Sequence, residues 1–311
     1  MTKHGSGGVT RAELLGLGAG LAAGLGLGPR ARGQEKTTMR TRPIPSTGEA
    51  LPVIGLGTWQ TFDVGSDASA RRRLGEVVTA LAEAGGSVID SSPMYGTSEE
   101  VAGAVVAELG ARPKTFIATK VWTRGRDEGR AQIERSMRLL RAETLDLLQV
   151  HNLVDWRVQL QTLRDMKARN RIRHLGVTHY TSSAYPELEA VMRAERLDFL
   201  QVNYSAEDRA AEARILPLAA ERGVAVLVNL PFGGGGLLRR LRGRPLPVWA
   251  GEAGCASWAQ ALLKFALSRP AVTCVIPGTA NPDHMRDNAR AGMGPGLTED
   301  LRRRLIAEVE G

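Results

Sequence analysis

From residue 53 onward, short runs of continuous apolar, often β-branched residues alternate with longer runs in which apolar residues recur every three to four positions. The short runs predict strands at 53–56, 87–89, 115–119, 145–150, 172–177, 198–202, 224–228 and 273–276. The longer runs predict helices at 68–84, 98–109, 127–140, 156–168, 183–194, 210–221 and 256–268, then 282–290 and 298–309. Thr97-Ser98-Glu99-Glu100 opens one of these helices and Gly85-Gly86 closes another. Strands without polar alternation are buried on both faces, as in a parallel sheet covered by helices. Eight such units in about 250 residues predict a (β/α)8 TIM barrel. A doubly wound open sheet uses the same units but gives no reason to stop at eight. Ahead of the first unit, 39–44 and 50–53, punctuated by Pro43, Pro45, Gly48 and Pro52, predict an N-terminal β-hairpin.

Three of the predicted strands run into a charged or titratable residue: Asp90, Lys120 and His151. Desolvating a lone carboxylate is costly, so Asp90 calls for a cation nearby. In a parallel barrel all three project from the C-terminal rim, where such folds carry their chemistry. The loop after Asp90 brings Tyr95 over them. An unperturbed tyrosine titrates near pH 10. The ammonium of Lys120 is expected to lower that value toward neutral pH, with Asp90 holding the ammonium charged and His151 orienting a substrate oxygen. Singly, Lys120 is more commonly half of a structural ion pair, His151 a hydrogen-bonded core residue and Asp90 a turn cap. The conjunction on three separate strands favours a proton-relay site for a carbonyl or alcohol. No metal-ligand cluster, nucleophile elbow or phosphate loop accompanies it.

Composition changes this picture mainly at the N-terminus. The chain has 311 residues, 43% hydrophobic, with a formal net charge of +8. Its basic residues are interleaved with acids along helices and lack stacking aromatics, which argues against nucleic-acid binding. In residues 1–33, Lys3 and Arg11 precede an apolar run at 14–28, and Ala31-Arg32-Gly33 offers a cleavage site before Gln34. This layout predicts a signal peptide, export to the periplasm and a mature domain of residues 34–311. The run of fifteen residues falls short of the roughly 20 that span a bilayer, so no stable membrane span is expected. Thr10-Arg11-Ala12-Glu13-Leu14-Leu15 resembles a twin-arginine signal lacking one arginine, leaving the export route open. Gly18-Ala19-Gly20-Leu21-Ala22-Ala23 spells a dinucleotide fingerprint, but no strand precedes it and no acidic residue follows at the required spacing. Cys255 and Cys274 are expected as free buried thiols, and the sequon Asn203-Tyr204-Ser205 as a chance match.

The chain resembles the aldo-keto reductases. The resemblance rests on Ile54-Gly55-Leu56-Gly57-Thr58-Trp59, Ile89-Asp90-Ser91-Ser92-Pro93-Met94-Tyr95-Gly96, Ala118-Thr119-Lys120-Val121-Trp122 and Gln149-Val150-His151-Asn152. Leu175-Gly176-Val177-Thr178-His179-Tyr180, Gln201-Val202-Asn203-Tyr204, Val275-Ile276-Pro277-Gly278-Thr279 and Asp287-Asn288 follow in order. It implies an oxidoreductase that moves hydride between a nicotinamide cofactor and a carbonyl carbon. Tyr95 would be the general acid, assisted by Lys120 and Asp90, with His151 positioning the carbonyl. Thr178, His179 and Gln201 would lie beside the carboxamide of the nicotinamide, Thr58 and Asp90 would also contact the cofactor, and Phe232 and Gly233 would approach the pyrophosphate. Gly278, Thr279, His284 and Asn288 would lie along the remainder. A plain flexible loop at Gly233-Gly234-Gly235-Gly236 stands as an equal alternative to the pyrophosphate role.

Relatives that grip the 2′-phosphate of NADPH carry basic residues where this chain has Gly278, Ala280 and His284, with Arg286 a substitute. NADP(H) is preferred narrowly and NAD(H) stays open. Asn229 stands where many relatives place a tyrosine against the nicotinamide. Trp59, Met94 and Trp122 would line the mouth for a small-molecule carbonyl substrate, with no metal and a monomeric chain. Two other readings stay open: Lys120 as a Schiff-base nucleophile, opposed by Asp90, and a cofactor-binding sensor with little turnover.

Overall fold

The computed structural model describes residues 38–311. The expected leader, residues 1–33, and the glycine pattern within it lie outside the described residues. The lead-in is a hairpin of β1 (Thr41–Pro43) and β2 (Ala50–Pro52), paired antiparallel. Eight strands follow: β3 (Leu56–Gly57), β4 (Val88–Asp90), β5 (Phe116–Val121), β6 (Leu145–His151), β7 (Ile172–His179), β8 (Phe199–Asn203), β9 (Ala225–Asn229) and β10 (Val272–Val275). They hydrogen-bond in sequence order, every pair parallel. Bridges Ile54–Val275 and Gly57–Gly278 join the two ends. That closure makes the sheet a (β/α)8 barrel and removes the doubly wound alternative. The seam depends on glycine: a Cβ on Gly57 would lie 2.9 Å from the Ile276 carbonyl oxygen.

Helices α1 (Ala68–Glu83), α2 (Ser98–Glu108), α3 (Arg126–Leu139), α4 (Trp156–Ala168), α5 (Tyr185–Ala194) and α6 (Ile215–Arg222) follow the first six barrel strands. After β9 come α7 (Gly236–Arg240) and α8 (Trp258–Leu267), and after β10 come α9 (Pro282–Arg290) and α10 (Glu299–Glu310). Prolines interrupt two of the predicted helices. Pro217 has no N–H for residue 213, so 210–221 divides into a 3-10 turn at Ala210–Glu212 and α6. Pro186 likewise marks the start of α5, behind a 3-10 turn at Ser182–Ala184. The short α7, which follows the glycine run, carries too little periodicity to be read from sequence.

Two apolar layers hold the barrel. The larger packs outward-facing strand residues such as Ile89, Ile117, Leu148 and Val177 against the helices. The smaller fills the interior with Val88, Phe116, Leu147, Phe199, Leu227 and Cys274, and the hairpin's Ile44 and Leu51 join it. Inward positions alternate with a period of two. Stepping up β5 from Phe116 through Ala118 therefore reaches Lys120, and stepping up β6 from Leu147 through Gln149 reaches His151. Strands β4, β5 and β6 each extend at least one residue past their predicted ends. Asp90, Lys120 and His151 thus lie inside the ladder, aimed by the pleat and not by a loop.

Candidate active site

At the C-terminal end of the interior, Lys120 Nζ lies 2.7 Å from Asp90 Oδ2 and donates to the Ser91 carbonyl at 2.7 Å. Both side chains are buried. Burial alone would lower the lysine's pKa, but Asp90, with Tyr95 and Glu99, raises it and holds an ammonium. Burial pushes the Asp90 carboxyl upward against the pull of Lys120 and of Gln201, whose Nε2 donates to Oδ2 at 3.2 Å. Gln149 Nε2 in turn donates to Gln201 Oε1 at 2.8 Å, so a polar chain runs across the barrel from β6 through β8 to Asp90. A lysine nitrogen so engaged is no free amine, which removes the basis for a Schiff-base reading.

Tyr95 leans over this pair, with Lys120 Nζ 5.3 Å from its ring centroid. Contrary to expectation, its hydroxyl is raised above the ordinary tyrosine value: burial outweighs the lowering by Lys120, and Asp90 adds to the rise. Burial, with Asp90 offsetting part of the ammonium's field, thus leaves Tyr95 holding its proton. His151 meets Tyr95 edge-on at 5.9 Å between ring centroids. Its pKa falls to about 2, through burial first, then the nearby Lys120 and His179. The imidazole is therefore neutral. Its Nδ1 lies 3.0 Å from Ser92 Oγ.

The Tyr95 loop is fastened at both ends. Thr58 Oγ1 lies 3.0 Å from the Asp90 carbonyl oxygen and 2.9 Å from Ser91 Oγ. On α2, buried Glu99 accepts from Thr119 Oγ1 at 2.5 Å and from Ser136 Oγ at 2.9 Å. Glu99 thereby ties the element after Tyr95 to the residue before Lys120. Burial raises its pKa, opposed by those hydroxyls.

Asp90, Tyr95, Lys120 and His151 form the floor of a cleft of about 980 Å³. Trp59, Met94 and Trp122 line its mouth as expected, joined by Tyr180, all four exposed. Thr58, Thr178, Gln201 and Phe232 line it, as do Gly278, Thr279, His284 and Asn288. Two expected residues do not. His179 is turned toward Thr181, whose N–H and Oγ1 both lie 3.3 Å from its Nδ1, and it stacks on Tyr180. Gly233 faces Glu207, whose Oε2 would lie 2.8 Å from an added Cβ, while Gly234 and Gly235 face the cleft. Arg286 is outside the lining and held by Asp283 at 2.8 Å. Instead, Arg242 and Arg244 line the cleft, with Trp258 and Asp287. Arg244 is tied to Glu308 at 3.0 Å, whereas Arg242 pairs with no carboxylate among the described residues. No sequence signal marks Arg242 among its arginine neighbours. Gln149 was legible as a polar residue at an inward position of an apolar strand.

The family description "Aldo/keto reductase family" matches residues 53–301. The chain belongs to the aldo/keto reductase family. The reductase is 29% identical over 259 residues to methylglyoxal reductase YeaE of Escherichia coli, covering 81% of this chain and 89% of that one. It is 24% identical over 231 residues to an NADH-specific methylglyoxal reductase of the same organism, with 62% and 68% covered. Among solved structures it is similar to an aldo-keto reductase from Klebsiella pneumoniae in complex with NADPH. The TM-score is 0.74 at 25% identity, covering 88% of this chain and 95% of that one. Among its described residues, the reductase has no cluster of three His, Cys, Asp or Glu suited to a metal, and no helix long and apolar enough to cross a membrane. Cys255 and Cys274 are buried free thiols. The sequon asparagine, Asn203, is buried, with its Nδ2 donating to Asp208 and its Oδ1 accepting from Tyr185.

Proposed function

We propose that this NAD(P)H-dependent aldo/keto reductase reduces an aldehyde or ketone to an alcohol, or runs the reverse, with Tyr95 as proton donor. The observation that carries this assignment is the buried Lys120–Asp90 pair at 2.7 Å, beneath a protonated tyrosine and a neutral histidine on the floor of one cleft.

The cleft suits a nicotinamide cofactor. Asn229 Oδ1 is buried without a partner in its wall. Gly233, Gly234 and Gly235 have φ of 56°, 62° and 86°, a turn that brings backbone close to a ligand, and the Gly234 N–H donates to no acceptor among the described residues. Thr178, Gln201 and Asn229 would hold the nicotinamide end, Phe232 and Gly234 the pyrophosphate, and Thr279, His284 and Asn288 the adenosine end. When bound, the reduced cofactor supplies hydride to the carbonyl carbon. His151 Nε2 donates a hydrogen bond to the carbonyl oxygen and fixes its direction. Tyr95 passes its proton to that oxygen as negative charge develops there. Lys120 stabilises the tyrosinate left behind, and Asp90 keeps Lys120 charged and aimed. Trp59, Trp122 and Met94 shield the reacting carbonyl from water.

NADP(H) is the preferred cofactor, supported by the NADPH complex of the Klebsiella relative and by Arg242 in the cleft. Arg242→Ala should raise KM for NADPH about tenfold and leave KM for NADH unchanged, the scale of one lost charge-assisted contact. Titrating tryptophan fluorescence with each cofactor and then adding an aromatic aldehyde tests the whole reading. No cofactor binding would sink it, and binding without turnover would favour a sensor. Tyr95→Phe should cost about 10²- to 10⁴-fold in turnover while sparing cofactor binding. Residues 1–33 act as a cleaved export signal in this proposal, which N-terminal sequencing of the protein from fractionated cells checks.

A further inference from the structure

We propose that Ser92 is a positioning residue that sets the tautomer of His151, placing the ring proton on Nε2, where it can meet a carbonyl oxygen. The inference rests on the reading of His151 as the group that orients the substrate. A neutral imidazole carries one proton, and the partner of one ring nitrogen decides where it sits. Here that partner is the Ser92 hydroxyl, 3.0 Å from Nδ1.

A serine hydroxyl can donate or accept, so distance alone leaves both tautomers open. The surroundings of Ser92 decide between them. The side chain is 0% exposed, so water does not reach it. Its oxygen accepts the Met94 N–H at 3.4 Å, and its only other partner among the described residues is His151 Nδ1. If Nδ1 carried the proton, Ser92 would accept twice and its own O–H would have no acceptor. A buried donor without an acceptor is disfavoured. With Nδ1 bare, Ser92 accepts from Met94 and donates to His151, and every group is satisfied. The ring proton then lies on Nε2, which has no protein partner among the described residues.

The arrangement also links the histidine to the tyrosine. Ser92 lies three residues before Tyr95 in the same loop, and its oxygen holds the Met94 amide beside that tyrosine. One hydroxyl thus orients both the proton donor's loop and the ring that receives the substrate oxygen.

The test reads the tautomer directly. Protein labelled with 15N-histidine is examined by long-range proton–nitrogen correlation spectroscopy near neutral pH, with His151→Gln assigning the signal. An Nε2–H pattern is expected in the wild type, and an Nδ1–H pattern would overturn the proposal while leaving the reductase assignment intact. In Ser92→Ala the His151 signals should move to a mixture of tautomers, and unchanged signals would overturn it equally. The variant's kcat should fall on the order of tenfold to a hundredfold with cofactor affinity unchanged. A shifted tautomer with undiminished kcat would refute the link from Ser92 to catalysis. Loss of cofactor binding in Ser92→Ala would assign Ser92 a merely structural role and also overturn the proposal. Absence of turnover in the wild type, with the Nε2–H signal present, would instead overturn the functional reading.

Discussion

Two histidines sit inside this barrel on neighbouring strands, His151 on β6 and His174 on β7, at opposite ends. Both are buried, and burial lowers the pKa of each. Their company differs. His174 lies between Phe116 and Phe199, with ring centroids 6.0 and 5.4 Å away, and neither of its nitrogens has a hydrogen-bond partner. The nearest acid, Glu49, is 3.6 Å from Nε2 and already bound to Arg173 at 2.5 Å. His151 has Ser92 on one nitrogen, a tyrosine at its edge and a lysine nearby. Burial and a depressed pKa are therefore common to both rings, and what separates them is the convergence of Tyr95, Lys120 and Ser92 on His151.

Lys120→Met gives the largest effect at the upper end. It should abolish reduction and leave Asp90 as a buried unpaired charge, costing about 3–5 kcal/mol of stability. Adding Asp90→Leu should restore most of that stability and none of the activity, as urea unfolding and aldehyde turnover would report. If the single and double variants were equally unstable, the pair would not be a charged one.

The contrast between the ends is sharpened by acid. The folded His151 titrates at about 2, while an unfolded histidine titrates near 6.5. Below about pH 6.5 the unfolded chain takes up a proton that the folded one refuses. Each such histidine then removes on the order of 1.4 kcal/mol of stability per pH unit, until the folded pKa is reached. His174 is shifted in the same direction. His151→Gln and His174→Phe should each make the loss of stability between pH 7 and pH 5 shallower, yet only His151→Gln should slow turnover. An unchanged slope in His174→Phe would mean that Glu49 lets that ring take its proton in the folded state.

The smallest expected effects come from Glu99→Gln and, at pH 7, from His174→Phe. Replacing a carboxylate that accepts two hydroxyls with an amide should cost about 1 kcal/mol and a few-fold in kcat. His174→Phe removes two unpaired polar atoms and should be neutral or stabilising by about 1 kcal/mol, with kcat unchanged. Thermal melts and steady-state kinetics on the pair would show whether polar groups matter only at the upper end.

Asp90, Lys120 and His151 were legible because a strand has a period of two, and a charge ending an apolar run demands a partner. The loop tyrosine was legible from its spacing after Asp90. Ser92 stood in plain view in the same motif, but nothing along the chain says which ring nitrogen it meets. Glu99 looked like an ordinary helix-start acid until Thr119 and Ser136 were found on its two oxygens. Where the resemblance leads one to expect the 2′-phosphate, Gly278, Ala280 and His284 signalled a missing cation, and Arg286 was the nearest replacement in sequence. The fold ties Arg286 to Asp283 and brings in Arg242 from the segment after β9.

The sequence alone determined the eight repeated units, their parallel pairing and the rim on which charge collects, because hydrophobic periodicity is a local property that each segment carries by itself. Tertiary structure decided which proton donors face which acceptors. It raised Tyr95 where Lys120 alone would have lowered it, left His151 neutral and chose the cation that faces the cleft. Those outcomes depend on desolvation and on angstrom-scale distances between residues far apart in the chain, and no local pattern encodes either.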